Sequence, residues 1–185
     1  MDNGVSSYRR FLNGDDDGLT SIIKDYKDSL ILYLNGYVNN IYVAEEIMEE
    51  TFFKLAVKKP IFNERSSFKT WLYTIGRNVA IDYIRRNSKF SMSSIQDVEN
   101  YIKDETCLEN LYIKNERKII VHKAMSNLRP EYCQVLWLCF FEEFSNEEVA
   151  QIMGKSKRQI ENLLYRAKQS LKPLLDKEGI QYEKL

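Results

Sequence analysis

Aromatic and basic side chains alternate within residues 68–86. The segment reads FKTWLYTIGRNVAIDYIRR, so a tryptophan and two tyrosines lie among three arginines and a lysine. Aromatic rings can stack on exposed nucleobases while basic side chains neutralise the phosphates beside them, so this pattern is typical of a helix that holds single-stranded nucleic acid. The same rings could instead fill a core, and the pattern leaves both roles open for Trp71 and Tyr73.

Two pairs of polar residues in the second half of the chain have the spacing of helix caps. Ser145 precedes Glu148 by three residues, and Ser156 precedes Gln159 by three, so each pair forms a capping box that predicts the start of a helix. Gly154 lies between the two boxes and predicts the end of the first helix, because glycine tolerates a positive φ.

The sequence between these caps predicts a helix-turn-helix. Ala150, Gly154 and Ile160 have the spacing at which a second helix crosses the first steeply and projects one face outward. Pro173 predicts that the second helix ends near Leu171. The outward face would carry donors and acceptors suited to phosphates and base edges, namely Lys157, Arg158, Glu161, Asn162, Tyr165 and Lys168. A capped hairpin with a solvated basic face would show the same boxes, but the spacing and the charge together favour DNA binding.

Charge is segregated along the chain, although 27 basic residues balance 27 acidic ones. Residues 14–51 contain nine acidic and two basic residues. Residues 65–89 and 154–172 each contain six basic residues and one acidic residue. One acidic region and two basic regions predict two kinds of partner, a protein and a polyanion.

Apolar periodicity predicts the helices that position these residues. One helix is expected over about 19–38, and another carries Ala44, Ile47 and Leu55 on one side and acidic residues on the other. Pro60 would end this second helix, and a third is expected over about 68–86. The chain has only 7 glycines and 3 prolines, which favours long helices and an all-α fold.

The periodicity fades after residue 87, where serine and acidic residues become frequent. We therefore expect two small helical domains, at 1–88 and 111–185, joined by a flexible linker at 89–110. The second of these domains would contain the helix-turn-helix.

Several classes of protein are disfavoured by the residue types. One histidine and the cysteines Cys107, Cys133 and Cys139 match no zinc spacing, so we expect no metal, no cofactor and ordinary buried thiols. The apolar run from Val135 to Phe141 is too short to cross a membrane, and the polar, acidic start of the chain does not predict a signal peptide. We expect a cytoplasmic protein that is not embedded in a membrane.

The aromatic and basic segment at 68–86 resembles region 2 of the extracytoplasmic-function sigma factors of bacterial RNA polymerase, a group of the sigma-70 family. Residues 44–52, AEEIMEETF, are similar to the preceding stretch of the same region. Residues 128–132, LRPEY, and the helix-turn-helix are similar to region 4. The resemblance implies a non-enzymatic subunit that binds core RNA polymerase and directs promoter recognition and transcription initiation.

The resemblance also implies three interaction surfaces and no catalytic residue. The protein partner would be core polymerase, with its β and β′ subunits, and Glu46, Glu49 and Glu50 would contact the clamp helices of β′. The −10 element, with a flipped base held in the loop at 63–67, would contact Asn63, Arg65, Ser66, Ser67, Lys69, Trp71, Arg77, Asn78, Asp82, Arg85 and Arg86. The −35 element would contact Ser156, Lys157, Arg158, Gln159, Glu161, Asn162, Arg166 and Lys168. Members of the family are commonly inhibited by an anti-sigma factor, so such a partner is implied, while a small-molecule substrate is not.

Two other functions remain open from the residues alone. A stand-alone helix-turn-helix regulator would bind duplex DNA without polymerase, and residues 42–86 would then form an effector or dimerisation domain. A nucleic-acid enzyme could hold Mg²⁺ through paired acids, Glu45 with Glu46 and Glu49 with Glu50, although no further residue is spaced to complete that site.

Overall fold

The computed structural model describes residues 3–90, 121–122, 124–125 and 127–177, and all regular structure within these ranges is helical. The chain divides into two compact units, Met1–Ile102 and Lys103–Leu185. The prediction of an all-α fold with two small helical domains is confirmed. The predicted linker at 89–110 lies outside the described residues, apart from two residues that end a helix, and the domain boundaries at 88 and 111 stay predictions.

The first unit contains four helices. They are α1 (Asn3–Leu12), α2 (Asp17–Val38), α3 (Ile41–Lys58) and α4 (Phe68–Phe90). Helix α2 packs against the other three, and their shared core includes the fully buried side chains of Ile22, Leu30 and Leu55. Asn40 starts α3 because its side-chain oxygen accepts hydrogen bonds from the N–H groups of Tyr42 and Val43, at 3.0 and 3.2 Å.

The first helix was not predicted from the sequence, although Val5, Tyr8, Phe11 and Leu12 have the spacing of an amphipathic helix and could have indicated it. Two buried glycines allow α1 to approach its neighbours closely. A side chain at Gly4 would collide with the ring of Phe68 on α4, and one at Gly18 would collide with the carbonyl oxygen of Ser7. Helix α1 therefore lies directly against both α2 and α4.

The second unit is built around the predicted helix-turn-helix. Its elements are α5 (Pro130–Leu136), a π-helical turn (Trp137–Phe141), α6 (Asn146–Met153) and α7 (Lys157–Lys177). Residues 121–122 and 124–125 are also helical, and Val121, Ala124 and Met125 are buried.

Both predicted capping boxes are formed. Ser145 accepts the N–H of Glu148 at 3.3 Å, and the carboxylate of Glu148 accepts the N–H of Ser145 at 3.0 Å. Ser156 and Gln159 repeat the arrangement at the start of α7, with distances of 3.3 and 2.8 Å. Gly154 ends α6 with a φ of +64°, as its position predicted. These contacts fix the turn that orients α7.

The predicted end of the second helix near Leu171 is wrong, because α7 continues through Pro173 to Lys177. A proline inside a helix costs about 3 kcal/mol, mainly through a lost hydrogen bond and a clash with the preceding turn. Leu175 is 0% exposed and lies four residues after the buried Leu171, so both pack on the same side of α7. Burying a leucine contributes about 1.5–3 kcal/mol, which offsets much of the proline's cost.

Candidate nucleic-acid and protein interfaces

The solvent face of α4 combines polar and apolar side chains. Asn78, Ile81 and Arg85 recur at intervals of three and four residues and are all exposed, so they share one side of the helix. The carboxylate of Asp82 receives a hydrogen bond from Arg85 at 3.1 Å. The sequence reasoning did not select Ile81, although its spacing from the polar residues could have identified it. This face offers charge for phosphates and apolar surface for bases.

The two aromatic residues left open by the sequence have different environments. Tyr73 is fully buried, and its hydroxyl donates a hydrogen bond to the Ser29 hydroxyl at 2.9 Å, so Tyr73 belongs to the core. Trp71 is half-buried, and its ring centroid lies 5.2 Å from that of Phe62 and 5.5 Å from that of Phe68. Part of the Trp71 ring therefore remains accessible while its orientation is fixed by neighbouring rings.

Two further basic residues predicted for the −10 element lie at the edges of α4. Lys69 is half-buried, and its ammonium lies 5.8 Å from the centre of the Tyr73 ring. Arg77 is also half-buried, close enough to the buried Tyr33 for its positive charge to oppose the rise in the phenol pKa that burial causes. The Lys69 ammonium is therefore held beside the Tyr73 ring, which restricts its reach.

The loop at 63–67 has an internal framework of hydrogen bonds. The side-chain oxygen of Asn63 accepts the N–H of Arg65 at 3.2 Å. Ser67 caps α4, because its hydroxyl accepts the N–H of Thr70 at 3.1 Å. Glu64 has a φ of +58°, a conformation that costs a non-glycine residue about 1–2 kcal/mol. Neighbouring structure must therefore stabilise this conformation.

The predicted base-capturing residues are not equally accessible in this loop. Asn63 and Arg65 are exposed, whereas Ser66 and Ser67 are half-buried. The Ser67 hydroxyl is already engaged by the start of α4, so Asn63, Arg65 and Ser66 are the members best placed to meet a ligand.

The acidic residues predicted on α3 have two different environments. Glu46 and Glu49 are exposed on the helix surface. Glu50 is half-buried, and its carboxylate lies 3.0 Å from the guanidinium of Arg86 and 3.3 Å from the ammonium of Lys54. Burial opposes its ionisation, but the hydrogen bonds from Arg86 and Lys54 outweigh burial and hold the pKa of Glu50 below its ordinary value.

The outer face of α3 also carries large apolar side chains that the sequence reasoning missed. Tyr42, Phe53 and Val57 are 56%, 64% and 62% exposed. With Glu46 and Glu49 they recur at intervals of three or four residues, so all five form one stripe, here called the α3 outer face. Apolar groups flanking exposed acids are typical of a protein-binding surface.

The outward face of α7 lies opposite the buried Ile160, Ala167 and Leu171. Tyr165 is 67% exposed in the middle of this face. The other predicted −35 residues that are exposed are Ser156, Lys157, Arg158, Gln159, Glu161, Asn162 and Arg166. The face therefore presents guanidinium, amide, carboxylate and phenol groups to solvent, as a major-groove reader requires.

Several polar groups of this face are already used within the second unit. Ser156 and Gln159 form the second capping box. Lys157 forms a hydrogen-bonded ion pair with Glu147 on α6. The hydrogen bond raises the pKa of the lysine and lowers the pKa of the Glu147 carboxyl. Lys168 is half-buried with its ammonium 4.9 Å from the centre of the Phe140 ring.

The described residues contain no group of three or more histidine, cysteine or acidic side chains that could hold a metal ion. Cys133 and Cys139 are free thiols, and burial raises their pKa values to about 12 and about 11. Thiols with such high pKa values are poor nucleophiles and metal ligands. Within the same described ranges, no helix combines the length and apolarity needed to cross a membrane.

Comparison with known proteins identifies both units. The family model for Sigma-70 region 2 matches residues 22–90, and the one for Sigma-70, region 4 matches residues 118–171. RNA polymerase sigma factor YlaC from Bacillus subtilis is 27% identical over 162 residues, covering 87% of this chain and 94% of the relative. ECF RNA polymerase sigma factor SigM from the same organism is 25% identical over 159 residues, covering 86% and 96%.

Two solved structures share the fold. CnrH, in complex with the cytosolic domain of CnrY, has a TM-score of 0.61 at 16% identity, covering 94% of this chain and 95% of CnrH. The sigma factor RpoE, in complex with the anti-sigma factor NepR from Bartonella quintana, has a TM-score of 0.60 at 23% identity, covering 83% and 98%. With both sigma regions matched in order, this chain belongs to the sigma-70 family as an extracytoplasmic-function sigma factor, a non-enzymatic factor for transcription initiation by RNA polymerase.

Proposed function

We propose that this sigma factor uses three separate surfaces to bring core RNA polymerase to its promoters. The α3 outer face binds core polymerase. The loop at 63–67 and the solvent face of α4 bind the −10 element and hold its opened strand. The outward face of α7 reads the −35 element in the major groove.

The observation that carries this proposal is the α3 outer face. Three large apolar side chains are each more than half exposed beside Glu46 and Glu49. A stand-alone regulator would use such a surface for an effector or a second copy, but the match to both sigma regions favours core polymerase as the protein that it binds. The same unit carries the polar and basic face of α4, so binding to polymerase would present that face to promoter DNA.

Strand opening would be driven by binding energy alone. A pocket that accepts an extruded base binds only the open state, and this difference in affinity shifts the equilibrium towards opening. Extruding a base costs a few kcal/mol, which contacts to the base edge and stacking on an aromatic ring must offset. The exposed Asn63 and Arg65 supply polar contacts, and the half-buried Trp71 supplies a ring.

The test is transcription in vitro with purified core polymerase and a promoter library. The chain should direct initiation at a defined set of promoters, and core alone should not. A charge-reversed α3 variant, Glu46→Lys with Glu49→Lys, should lose initiation and core binding together. The matched control is Asp25→Lys with Asp28→Lys, which places the same charge change on exposed positions of α2. Equal activity of the two variants would contradict the assignment of the α3 outer face.

We also propose that the chain acts in the cytoplasm and is inhibited there by a separate anti-sigma protein that covers the α3 outer face. The exposed apolar stripe needs a partner whenever core polymerase is absent. Purified inhibitor should compete with core for the wild-type chain and bind Phe53→Ser more weakly. Simultaneous binding of core and inhibitor would contradict this arrangement.

A further inference from the structure

Helix α1 contacts the segment around the 63–67 loop through three side chains within about one helical turn, those of Tyr8, Arg9 and Phe11. The hydroxyl of Tyr8 donates a hydrogen bond to the carbonyl oxygen of Pro60 at 2.8 Å. Arg9 forms an ion pair with Glu64 inside the loop. The ring of Phe11 lies under the Lys59 ammonium, 4.8 Å from the ring centre. One short helix therefore touches both the start and the middle of this segment.

The contacted residues are those whose backbone most needs support. Lys59 and Glu64 have φ angles of +41° and +58°, which side-chain-bearing residues adopt rarely. Each of them is contacted by α1, and Asn63 lies between them. The loop also has a hydrogen bond of its own, from the Arg65 N–H to Asn63, and Ser67 is joined to the start of α4.

Tyr8 also connects the loop to α4. Its side chain is buried, and its ring centroid lies 5.3 Å from that of Trp71 and 5.6 Å from that of Phe68. Burial raises the pKa of Tyr8 to about 12, so the phenol stays neutral and remains a donor at physiological pH. Tyr8 thus joins the Pro60 carbonyl to the Trp71 ring, and Phe62 contacts the same ring.

We propose that α1 is a positioning element for strand opening: Tyr8 and Arg9 hold the 63–67 loop in its base-capturing conformation without touching DNA themselves. This inference rests on the function proposed above for the loop. It assigns a role to residues 3–12, which lie outside the matched sigma region at 22–90.

The test compares two neighbouring arginines of α1. Arg9→Ala removes the ion pair with Glu64, whereas Arg10→Ala removes another surface ion pair, with Asp15 at 2.6 Å, that does not involve the loop. Exposed pairs are weak, so we expect Arg9→Ala to reduce promoter opening about threefold to fivefold. Tyr8→Phe, which removes only the hydroxyl, should have an effect of roughly fivefold. Arg10→Ala should open promoters as wild type does.

Three readouts separate positioning from general loss of structure. Permanganate footprinting on duplex templates should show the defect, and a template with a preformed bubble over the −10 element should relieve it. Hydrogen exchange of the Arg65 amide in the DNA-free protein should be faster in Arg9→Ala than in Arg10→Ala. The charge swap Arg9→Glu with Glu64→Arg should restore slow exchange and opening. Thermal melts establish that each variant is folded.

The outcomes distinguish this inference from the function on which it rests. Suppose that Arg9→Ala and Tyr8→Phe keep slow exchange of the Arg65 amide and open promoters normally, while Asn63→Ala opens them poorly. This result would overturn the role of α1 and leave the loop's function intact. Normal opening in Asn63→Ala as well would overturn both. Positioning by α1 would be supported if the Arg65 amide exchanges faster and promoter opening is defective on duplex templates only. The charge swap should correct both changes.

Discussion

Glu50 on α3 and Arg86 on α4 are joined by an ion pair, with the carboxylate Oε2 and the guanidinium Nη2 3.0 Å apart. The sequence assigned these residues to different partners, Glu50 to core polymerase and Arg86 to the −10 element. The pairing means that an outside partner of either residue shares or competes for groups that already interact within the chain. Glu46 and Glu49, which are exposed, carry no such restriction in our proposal.

A double-mutant cycle on Glu50→Ala and Arg86→Ala should give a coupling free energy of unfolding of about 0.2–1 kcal/mol, because the pair is partly exposed. The pKa of Glu50 is lowered from 4.5 in the folded state. The coupling should therefore be fully present above pH 4.5, where the carboxylate is ionised, and should be lost as the pH falls through the folded-state pKa. Denaturant unfolding at several pH values measures it. A second double-mutant cycle, on Glu50→Ala and Lys58→Ala, is the control. An equal coupling free energy in this cycle would contradict a specific ion pair between Glu50 and Arg86.

Apolar contacts on the α3 outer face should matter for core binding as much as the acids do. Phe53→Ser should weaken binding to core roughly tenfold, the scale of one well-buried interface side chain. Because Phe53 is 64% exposed in the free chain, its replacement should leave thermal stability nearly unchanged. Fluorescence titration with core measures the affinity. The exposed Leu12 on α1 provides the control Leu12→Ser, and an equal loss in both variants would indicate a nonspecific effect.

Arg158 occupies the outward face of α7, and among the described residues it forms no ion pair. Arg158→Ala should lose about 1–3 kcal/mol of discrimination at one −35 position if the guanidinium reads a base edge, since a bidentate contact is worth that much. An even loss at all promoters would indicate a phosphate contact instead. A panel of promoter mutants distinguishes the two, with Lys177→Ala at the end of α7 as the control. No change at any −35 sequence would remove Arg158 from the interface.

Replacing Asn63 or Ser66 in the 63–67 loop should impair opening more than initial binding. Asn63→Ala and Ser66→Ala should leave the closed complex almost intact and lose about 1–3 kcal/mol of open-complex stability, the scale of one polar or stacking contact. Permanganate reactivity on duplex and bubble templates measures the effect, with Thr20→Ala on α2 as the control. Equal failure on both templates would show that the loop only connects α3 to α4.

Pro173→Ala should stabilise the chain, because it restores a backbone donor inside α7 and removes the clash of the proline ring. The gain in the free energy of unfolding should be on the order of 1–3 kcal/mol. Pro173 is exposed, so the replacement disturbs no core packing. Thermal or denaturant unfolding checks this, with Lys172→Ala as the control, and a destabilised variant would contradict the continuous helix.

The helix-turn-helix was predictable because its signals are local. A serine three residues before a glutamate or glutamine specifies a helix start, and Gly154 specifies an end, without reference to the rest of the chain. The end of α7 was not predictable in this way, since the burial of Leu175 depends on tertiary packing. The same limit applies to Tyr73, whose position in an alternating aromatic and basic pattern is compatible with the core and with the surface.

The functional surfaces were predicted less completely than the fold. Sequence reasoning selected the acidic residues of the α3 outer face and missed Tyr42, Phe53 and Val57, because apolar residues are assigned to the core by default. It also grouped Glu50 with Glu46 and Glu49, because the contact with Arg86 joins residues 36 positions apart. The contacts of α1 to the loop likewise join distant residues, whereas the helix itself has a local apolar spacing that the prediction missed.

The close approach of Gly4 to Phe68 makes the seating of α1 sensitive to a single methyl group. A β-carbon at Gly4 would lie 2.2 Å from the nearest atom of the Phe68 ring, so Gly4→Ala must shift either that ring or α1. The second unit has its own core, so this one variant separates the contribution of α1 from that of the helix-turn-helix.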